Sequence, residues 1–264
     1  MATVPCFHVD AFTARAFRGN PAAVCLLTAS RTTRWMQSVA AEMNLSETAF
    51  VRPLARGFSL RWFTPKVEVD LCGHATLAAA HVLWQEGIAP KHAELGFETR
   101  SGRLSAVRTA SAIELDFPAL TARPCKPPSG LVQALGATPR AVAMSRHDLL
   151  VELASERAVR ELQPDLARLR RLPVRGIITT ARARRRWDFV SRFFAPAVGV
   201  DEDPVTGSAH SVLAPYWSER LGVTEMLGYQ ASPRGGEVAV KLRGDRVALG
   251  GEALTVVRGE LVVR

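Results

Sequence analysis

The chain has 264 residues, of which 47% are hydrophobic, and its formal net charge is +9. This length is sufficient for one large domain or for two domains of ordinary size. No apolar run approaches the roughly 18 residues that span a bilayer, and the first residues lack the basic and apolar regions of a signal peptide. These features argue against a membrane protein, and we expect a cytoplasmic location.

Much of the positive charge lies in one arginine-rich region. Clusters of this kind can bind phosphate backbones, but no nucleic-acid-binding motif accompanies this one, and aromatic residues make up only 7% of the chain. We interpret the region as a solvated face whose field could attract an anionic substrate, and we do not expect nucleic acid as a partner. The arginines are Arg168, Arg170, Arg171, Arg175, Arg182, Arg184, Arg185 and Arg186.

The cysteines give no sign of a disulfide or of a metal site. They form no C-x-x-C pair and lack the histidine spacing of a zinc site, so we expect reduced thiols and no bound metal. They are Cys6, Cys25, Cys72 and Cys125.

The first half of the chain alternates short strands with helices, as judged from the spacing of its apolar residues. A proline-containing stretch at 121–130 then resembles a linker, and we place the domain boundary there. This gives an N-terminal lobe at 1–120 and a C-terminal lobe at 121–264, whose last strands could cross to the first lobe. The predicted strands are 4–9, 22–27, 45–51, 58–63, 96–98, 103–107 and 112–117, and the predicted helices are 32–43 and 73–85.

The second half repeats this theme. Strands are predicted at 148–153, 176–180 and 187–194, a helix at 208–221, and a β-meander from there to the last residues.

One stretch of sequence occurs twice, and it links the two halves. Each copy predicts a strand, a turn of small residues, and a helix that begins near Gly73 or Gly207. A helix start exposes backbone N–H groups at the positive end of its dipole, so the two turns together could hold a carboxylate. The repeated residues are Phe63, Pro65, Val67, Val69 and Asp70, which recur as Phe194, Pro196, Val198, Val200 and Asp201.

Four polar residues near these turns could carry chemistry. Glu47 lies at the start of an otherwise apolar strand, His74 lies in the first turn, and Asp203 and Ser208 flank the second turn. Each also has a structural explanation, such as helix capping or an exposed strand end. Together they suit proton transfer beside a substrate carboxylate better than a serine hydrolase, because Ser208 lacks a G-x-S-x-G motif.

Six motifs in order along the chain are similar to those of the phenazine-biosynthesis-like (PhzF-like) family. They are Gly19–Val24, Asn44–Phe50, Phe63–Pro65, Asp70–Thr76, Asp203–Ala209 and Arg234–Gly236.

This resemblance implies an α+β fold related to diaminopimelate epimerase and proline racemase. Two pseudo-symmetric lobes are expected, each a β-barrel-like sheet around a central helix, with the active site between them. The central helices would be 74–85 and 208–221. The implied protein is a cofactor-independent isomerase, commonly a homodimer, that moves a proton on a small carboxylate-bearing substrate with an amino or hydroxy substituent.

The resemblance also implies roles for particular residues. Glu47 matches the general acid/base, and His74 and Asp203 match polar groups that hold the substrate and orient protons. Gly73 and Gly207 match the turns whose backbone N–H groups bind the substrate carboxylate, and Ser208 matches a substrate-binding hydroxyl at the start of the second helix.

One departure from the related racemases affects the predicted mechanism. Those enzymes use two cysteines as opposed bases, one in each turn, whereas this chain has Cys72 in the first turn and none in the second. A two-thiol racemase is therefore disfavoured. The alternatives are an epimerase or racemase with Glu47 or Cys72 as one base, and a non-catalytic binding protein that uses the arginine-rich region 168–186.

Overall fold

The computed structural model describes residues 2–263. Within this range the chain forms strands throughout and few helices, so the fold is α+β, as predicted. The strands, in chain order, are β1 (Ala2–Ala11), β2 (Asn20–Leu26), β3 (Glu47–Pro53), β4 (Phe58–Phe63), β5 (Glu68–Val69), β6 (Leu95–Thr99), β7 (Gly102–Arg108), β8 (Ile113–Pro118), β9 (Arg123–Pro124), β10 (Ala141–Met144), β11 (Asp148–Glu152), β12 (Gly176–Arg182), β13 (Phe189–Ala195), β14 (Val200–Asp203), β15 (Glu225–Gln230), β16 (Gly236–Arg243), β17 (Arg246–Gly251) and β18 (Ala253–Val263). The α-helices are α1 (Thr33–Met43), α2 (Gly73–Gln85), α3 (Leu131–Leu135), α4 (Glu156–Arg160), α5 (Leu166–Leu169) and α6 (Gly207–Leu221).

The chain divides into two compact units. The first comprises the chain up to Asp116 together with the part from Gly250 onwards, and the second comprises Phe117–Leu249. Strand β18 belongs to the first unit because it pairs antiparallel with β1 along the whole of that strand.

In the first unit, the strands surround α2. They pair in the order β18-β1-β2-β3-β4-β6-β7-β8, and the pairs β2–β3 and β4–β6 are parallel. Ten of the 13 residues of α2 are buried, and the helix contacts β1, β2, β3 and β18. A helix that is apolar on all sides must be enclosed, and its run of alanines lets the strands approach it closely.

The second helix of this unit, α1, covers one edge of the core. The side chain of Thr32 caps its start by accepting a hydrogen bond from the Trp35 N–H, and Asn44 ends it in a left-handed conformation with φ of 49°. Met36 and Ala40, one turn apart, are buried among Phe50 and other apolar side chains.

The second unit repeats the strand pairings of the first. The pairs β10–β11, β11–β12, β12–β13, β13–β15 and β15–β16 run antiparallel, parallel, antiparallel, parallel and antiparallel. The same sequence of directions describes β1–β2, β2–β3, β3–β4, β4–β6 and β6–β7. Helix α6 takes the place of α2, with nine of its 15 residues buried. The two lobes inferred from the duplicated stretch are therefore confirmed.

The helices also bear on membrane association. In the part of the chain that the structure describes, no helix combines the length and apolar character needed to cross a membrane.

Candidate active site

The first unit brings Glu47 and His74 together at one edge of its sheet. Glu47 is the first residue of β3 and pairs with Ala22 of the parallel strand β2, which begins at Asn20. Parallel strands start at the same edge of a sheet, so Asn20 and Glu47 lie close to each other. His74, the second residue of α2, reaches this edge from inside the unit.

The imidazole of His74 connects the groups of this cluster. Its Nε2 atom lies 3.1 Å from Oε2 of Glu47. Its Nδ1 atom lies 3.2 Å from Nδ2 of Asn20 and 3.5 Å from Sγ of Cys72. The His74 side chain is only 6% exposed, whereas that of Glu47 is 18% exposed. The carboxylate is thus the member of the cluster that a bound molecule can reach.

The charges in the cluster shift the titration of both buried groups. Burial lowers the pKa of His74, but the negative charge of the neighbouring Glu47 opposes this effect, and the net pKa lies well above the ordinary value. Burial, reinforced by the negative charge of Glu47, raises the pKa of the Cys72 thiol. Cys72 therefore stays a neutral thiol.

The same three residues include groups that can ligate a metal. One ligand atom from each of Glu47, Cys72 and His74 can be chosen so that all lie within 4.8 Å of one another. However, Glu47 approaches one nitrogen of the imidazole and Cys72 approaches the other. The two groups thus face different nitrogens of the ring, which is not the arrangement of three ligands around a single ion.

The second unit holds Asp203 in a network of hydrogen bonds. The Thr206 hydroxyl donates to Oδ2 of Asp203 at 2.5 Å. Oε1 of Gln230 accepts from the Thr206 N–H at 2.9 Å, and its Nε2 donates to the Asp203 carbonyl at 2.7 Å. Gln230 is fully buried. It therefore fixes the turn between β14 and α6, a role that no motif in the sequence indicated.

Ser208 has an arginine as its partner. Nη2 of Arg175 donates to the Ser208 hydroxyl oxygen at 3.1 Å. The same guanidinium donates from Nε to Oδ1 of Asp148 at 2.8 Å, and from Nη2 to the other oxygen of that carboxylate. The sequence placed Arg175 in a solvated cluster, and neither its ion pair with the buried Asp148 nor its contact with Ser208 was predicted.

Both predicted turns do lead into helices. Gly73 is the first residue of α2 and Gly207 is the first residue of α6. The residues before them, Cys72 and Thr206, make no side-chain capping hydrogen bond to the first turn. The N–H groups at these helix starts could therefore bind an anion, as predicted, and that role stays a prediction.

A buried histidine near the second turn predicts sensitivity to acid. His210 is fully buried, its Nδ1 lies 2.8 Å from the Thr206 carbonyl oxygen, and burial lowers its pKa to about 4. The pKa of a histidine in an unfolded chain is about 6.5. Between that pH and about 4, the unfolded state binds a proton at His210 that the folded state does not bind. His210 in its neutral form therefore contributes fully to the free energy of unfolding above pH 6.5. This contribution, about 3 kcal/mol, is lost as the pH falls towards 4.

The measurement is urea unfolding between pH 7 and pH 4. We expect His210→Gln to be less sensitive to acid than the wild type, and His92→Gln, at an exposed position, to match the wild type. His74 does not interfere, because a raised pKa adds stability below 6.5 that is lost only at higher pH. Equal acid sensitivity of wild type and His210→Gln would contradict the prediction.

Comparisons with known proteins agree with this architecture. The chain is 52% identical to an uncharacterized isomerase of Halalkalibacterium halodurans, over 100% of both chains. A PhzF-family phenazine biosynthesis protein of Enterococcus faecalis, known from its crystal structure, has a TM-score of 0.96 at 40% identity, covering 99% of this chain and 100% of that chain.

A more distant likeness concerns the fold alone. A hydroxyproline epimerase from Agrobacterium vitis has a TM-score of 0.66 at 11% identity, with 98% of this chain and 92% of that chain covered. The predicted relation to the epimerase and racemase fold is therefore confirmed.

The family itself follows from the match along the sequence. Residues 9–259 match the family described as phenazine biosynthesis-like protein, which includes nearly all of both units. The relatives with half or nearly half of their residues identical to this chain are named isomerases. The chain therefore belongs to the phenazine biosynthesis-like (PhzC/PhzF) family, and it is an isomerase.

Proposed function

We propose that the protein is a cofactor-independent isomerase in which Glu47 moves a proton on a small carboxylate-bearing substrate with an amino or hydroxy substituent. The observation that supports this most strongly is the contact of 3.1 Å between the partly exposed Glu47 carboxylate and the buried His74 imidazole. A partly exposed carboxylate that lies beside a buried imidazole is placed to exchange protons with a bound molecule.

The proposed reaction needs one base. Glu47 takes a proton from a substrate carbon, leaving the electron pair delocalised on the substrate, exchanges that proton with water, and then delivers a proton to a different carbon. In the first unit, His74 orients Glu47 and Gly73 offers a backbone N–H group to a carboxylate. In the second unit, Gly207 and Ser208 offer backbone N–H groups and the serine hydroxyl, and Asp203 is a polar group for the substrate.

A two-thiol racemase is the less favoured alternative. Cys72 precedes the first residue of α2, and the residue in the same place before α6 is Thr206. A threonine hydroxyl is a far weaker acid than a thiol and cannot serve as the second thiol base. In addition, the raised pKa of Cys72 keeps its thiol neutral, so it is a poor base.

Deuterium exchange tests the proposal. The protein, dialysed against EDTA, is incubated in heavy water with a panel of small amino- and hydroxy-substituted carboxylic acids, and the products are examined by NMR and chiral chromatography. We expect deuterium at carbon and a shifted double bond or hydrogen in at least one compound. Inversion of a stereocentre without any shift would instead favour the epimerase, and no exchange with any compound would count against catalysis of this kind.

A further inference from the structure

The duplication gives each residue of the Glu47 cluster a counterpart in the second unit. In the first unit, Phe63 pairs with Thr48, the residue after Glu47. In the second unit, Phe194, which matches Phe63 in the repeat, pairs with Ile177, the residue after Gly176. Glu47 therefore corresponds to Gly176, and the residue before it corresponds to Arg175.

Two further correspondences complete the comparison. Gly73 and Gly207 begin the central helices, so His74 corresponds to Ser208. Ala22 pairs with Glu47 just as Asp148 pairs with Gly176, so Ala22 corresponds to Asp148. Where the first unit has a histidine beside a carboxylate, the second unit has a serine beside a guanidinium.

The second unit has no room for a base at the position of Glu47. A Cβ atom added to Gly176 would lie 2.4 Å from Cζ and 2.7 Å from Cε2 of Phe193. Real side chains do not approach so closely, so any residue larger than glycine must displace the Phe193 ring. The guanidinium carbon of Arg175 lies 5.8 Å from the centroid of that ring.

Arg175 is held firmly and still has donors to spare. Of its five N–H groups, one on Nε and one on Nη2 bind Asp148, and the other on Nη2 binds Ser208. Among residues 2–263, the two N–H groups of Nη1 have no hydrogen-bond partner, and the Arg175 side chain is 40% exposed.

The geometry of the guanidinium directs these donors. Asp148 occupies the edge formed by Nε and Nη2, so Ser208 must lie on the edge formed by Nη2 and Nη1. The Ser208 hydroxyl accepts from Arg175 and keeps its own proton to donate. Nη1, this hydroxyl and the N–H groups at the start of α6 are thus neighbouring donors without an acceptor among them.

We propose that Arg175 and Ser208 form a carboxylate-binding site in the second unit, next to the position at which the first unit carries Glu47. The inference rests on the proposed function in one respect, namely that the bound carboxylate is that of the isomerase substrate. Asp148, only 2% exposed as a side chain, acts as a positioning residue that orients the guanidinium.

The test is a titration with 2-aminobenzoate and with acetate, followed by NMR and calorimetry. Aniline, which lacks the carboxylate, is the matched control ligand. Removing Arg175 alone would leave Asp148 as an unpaired buried charge, so the main variant is the double substitution Arg175→Gln/Asp148→Asn. We expect this variant to bind the carboxylates about tenfold more weakly or worse, since hydrogen bonds to charged groups are being lost.

Two further variants keep the test decisive. Arg175→Lys retains the charge without the fork and should bind with intermediate affinity. Arg184→Gln removes an exposed arginine from the same sequence cluster and should bind like the wild type. Equal affinity of the wild type and the double variant would overturn the proposal, as would failure of the wild type to bind either carboxylate.

Binding and turnover can fail separately. Because the titration needs no reaction, binding that depends on Arg175 together with no deuterium exchange would reject only the proposed function. Deuterium exchange together with carboxylate binding that does not change when Arg175 is substituted would reject only the present inference.

Discussion

Replacing Glu47 by glutamine is expected to lower the rate of deuterium exchange by about 10²- to 10⁴-fold, the contribution typical of a general acid or base. Glutamine has almost the same shape, and its amide oxygen can take the position of the present carboxylate oxygen, 3.1 Å from Nε2 of His74. It cannot accept a proton from carbon. The loss should therefore appear in turnover, while the affinity for a carboxylate ligand changes little.

The matched control is another glutamate at an exposed position on a strand of the same unit. Glu98, on β6, has a side chain that is 55% exposed, and Glu98→Gln should exchange at the wild-type rate. Rates are compared by following deuterium incorporation at a saturating concentration of the best compound in the panel. If Glu47→Gln retained more than about half of the wild-type rate, the base would have to be sought elsewhere.

The largest effect on stability is expected at Arg192. This arginine, 9% exposed as a side chain, donates from Nε and Nη2 to both carboxylate oxygens of Glu202, at 2.7 and 2.9 Å. Its Nη1 donates to the carbonyl of Leu162 at 2.6 Å. Arg192→Met would leave a largely buried carboxylate and a carbonyl without their donors, and we expect it to lower the free energy of unfolding by about 3 kcal/mol.

Burial decides this estimate, and a second ion pair of the same chemistry shows why. Arg157 also contacts both oxygens of a glutamate, Glu161, but it lies on the surface with 83% of its side chain exposed. Arg157→Met should not change stability measurably, because water screens and replaces such a pair. Urea unfolding of both variants checks the contrast.

A companion variant separates the charge from the packing. Arg192→Met/Glu202→Gln removes the unpaired carboxylate and should recover part of the loss. Glu202 precedes Asp203 on β14, so Arg192→Met is also expected to loosen the turn that carries Asp203. Arg192→Met as stable as the wild type would contradict the prediction.

Local sequence patterns were sufficient to predict most of the elements. The starts of α2 and α6 at Gly73 and Gly207 follow from a small-residue turn before an alanine-rich run, and both were predicted to within a residue. The duplicated stretch indicated two lobes because its copies share both spacing and residue types. Glu47 and His74 could be selected because each lies at the start of an element, where side chains meet at a sheet edge.

The partners of these residues could not be predicted, because each is distant in sequence and unremarkable in type. Gln230 lies 24 residues from Thr206, which it binds, and Asn20 lies 54 residues from His74. Arg175 lies among other arginines in the sequence, and no local pattern distinguishes it from them. It differs from them because its ion-pair partner, Asp148, is buried. Such contacts depend on strand register, which a single sequence does not specify.

The pairing of β1 with β18 has a consequence for folding during synthesis. Phe117–Leu249 is translated before Ala253–Val263, so β1 leaves the ribosome long before its partner strand β18. Until β18 has been synthesised, one edge of β1 has no partner strand, although its other edge can already pair with β2. An exposed strand edge invites pairing with other chains. We therefore expect nascent chains halted before residue 253 to be captured by chaperones through the N-terminal strand.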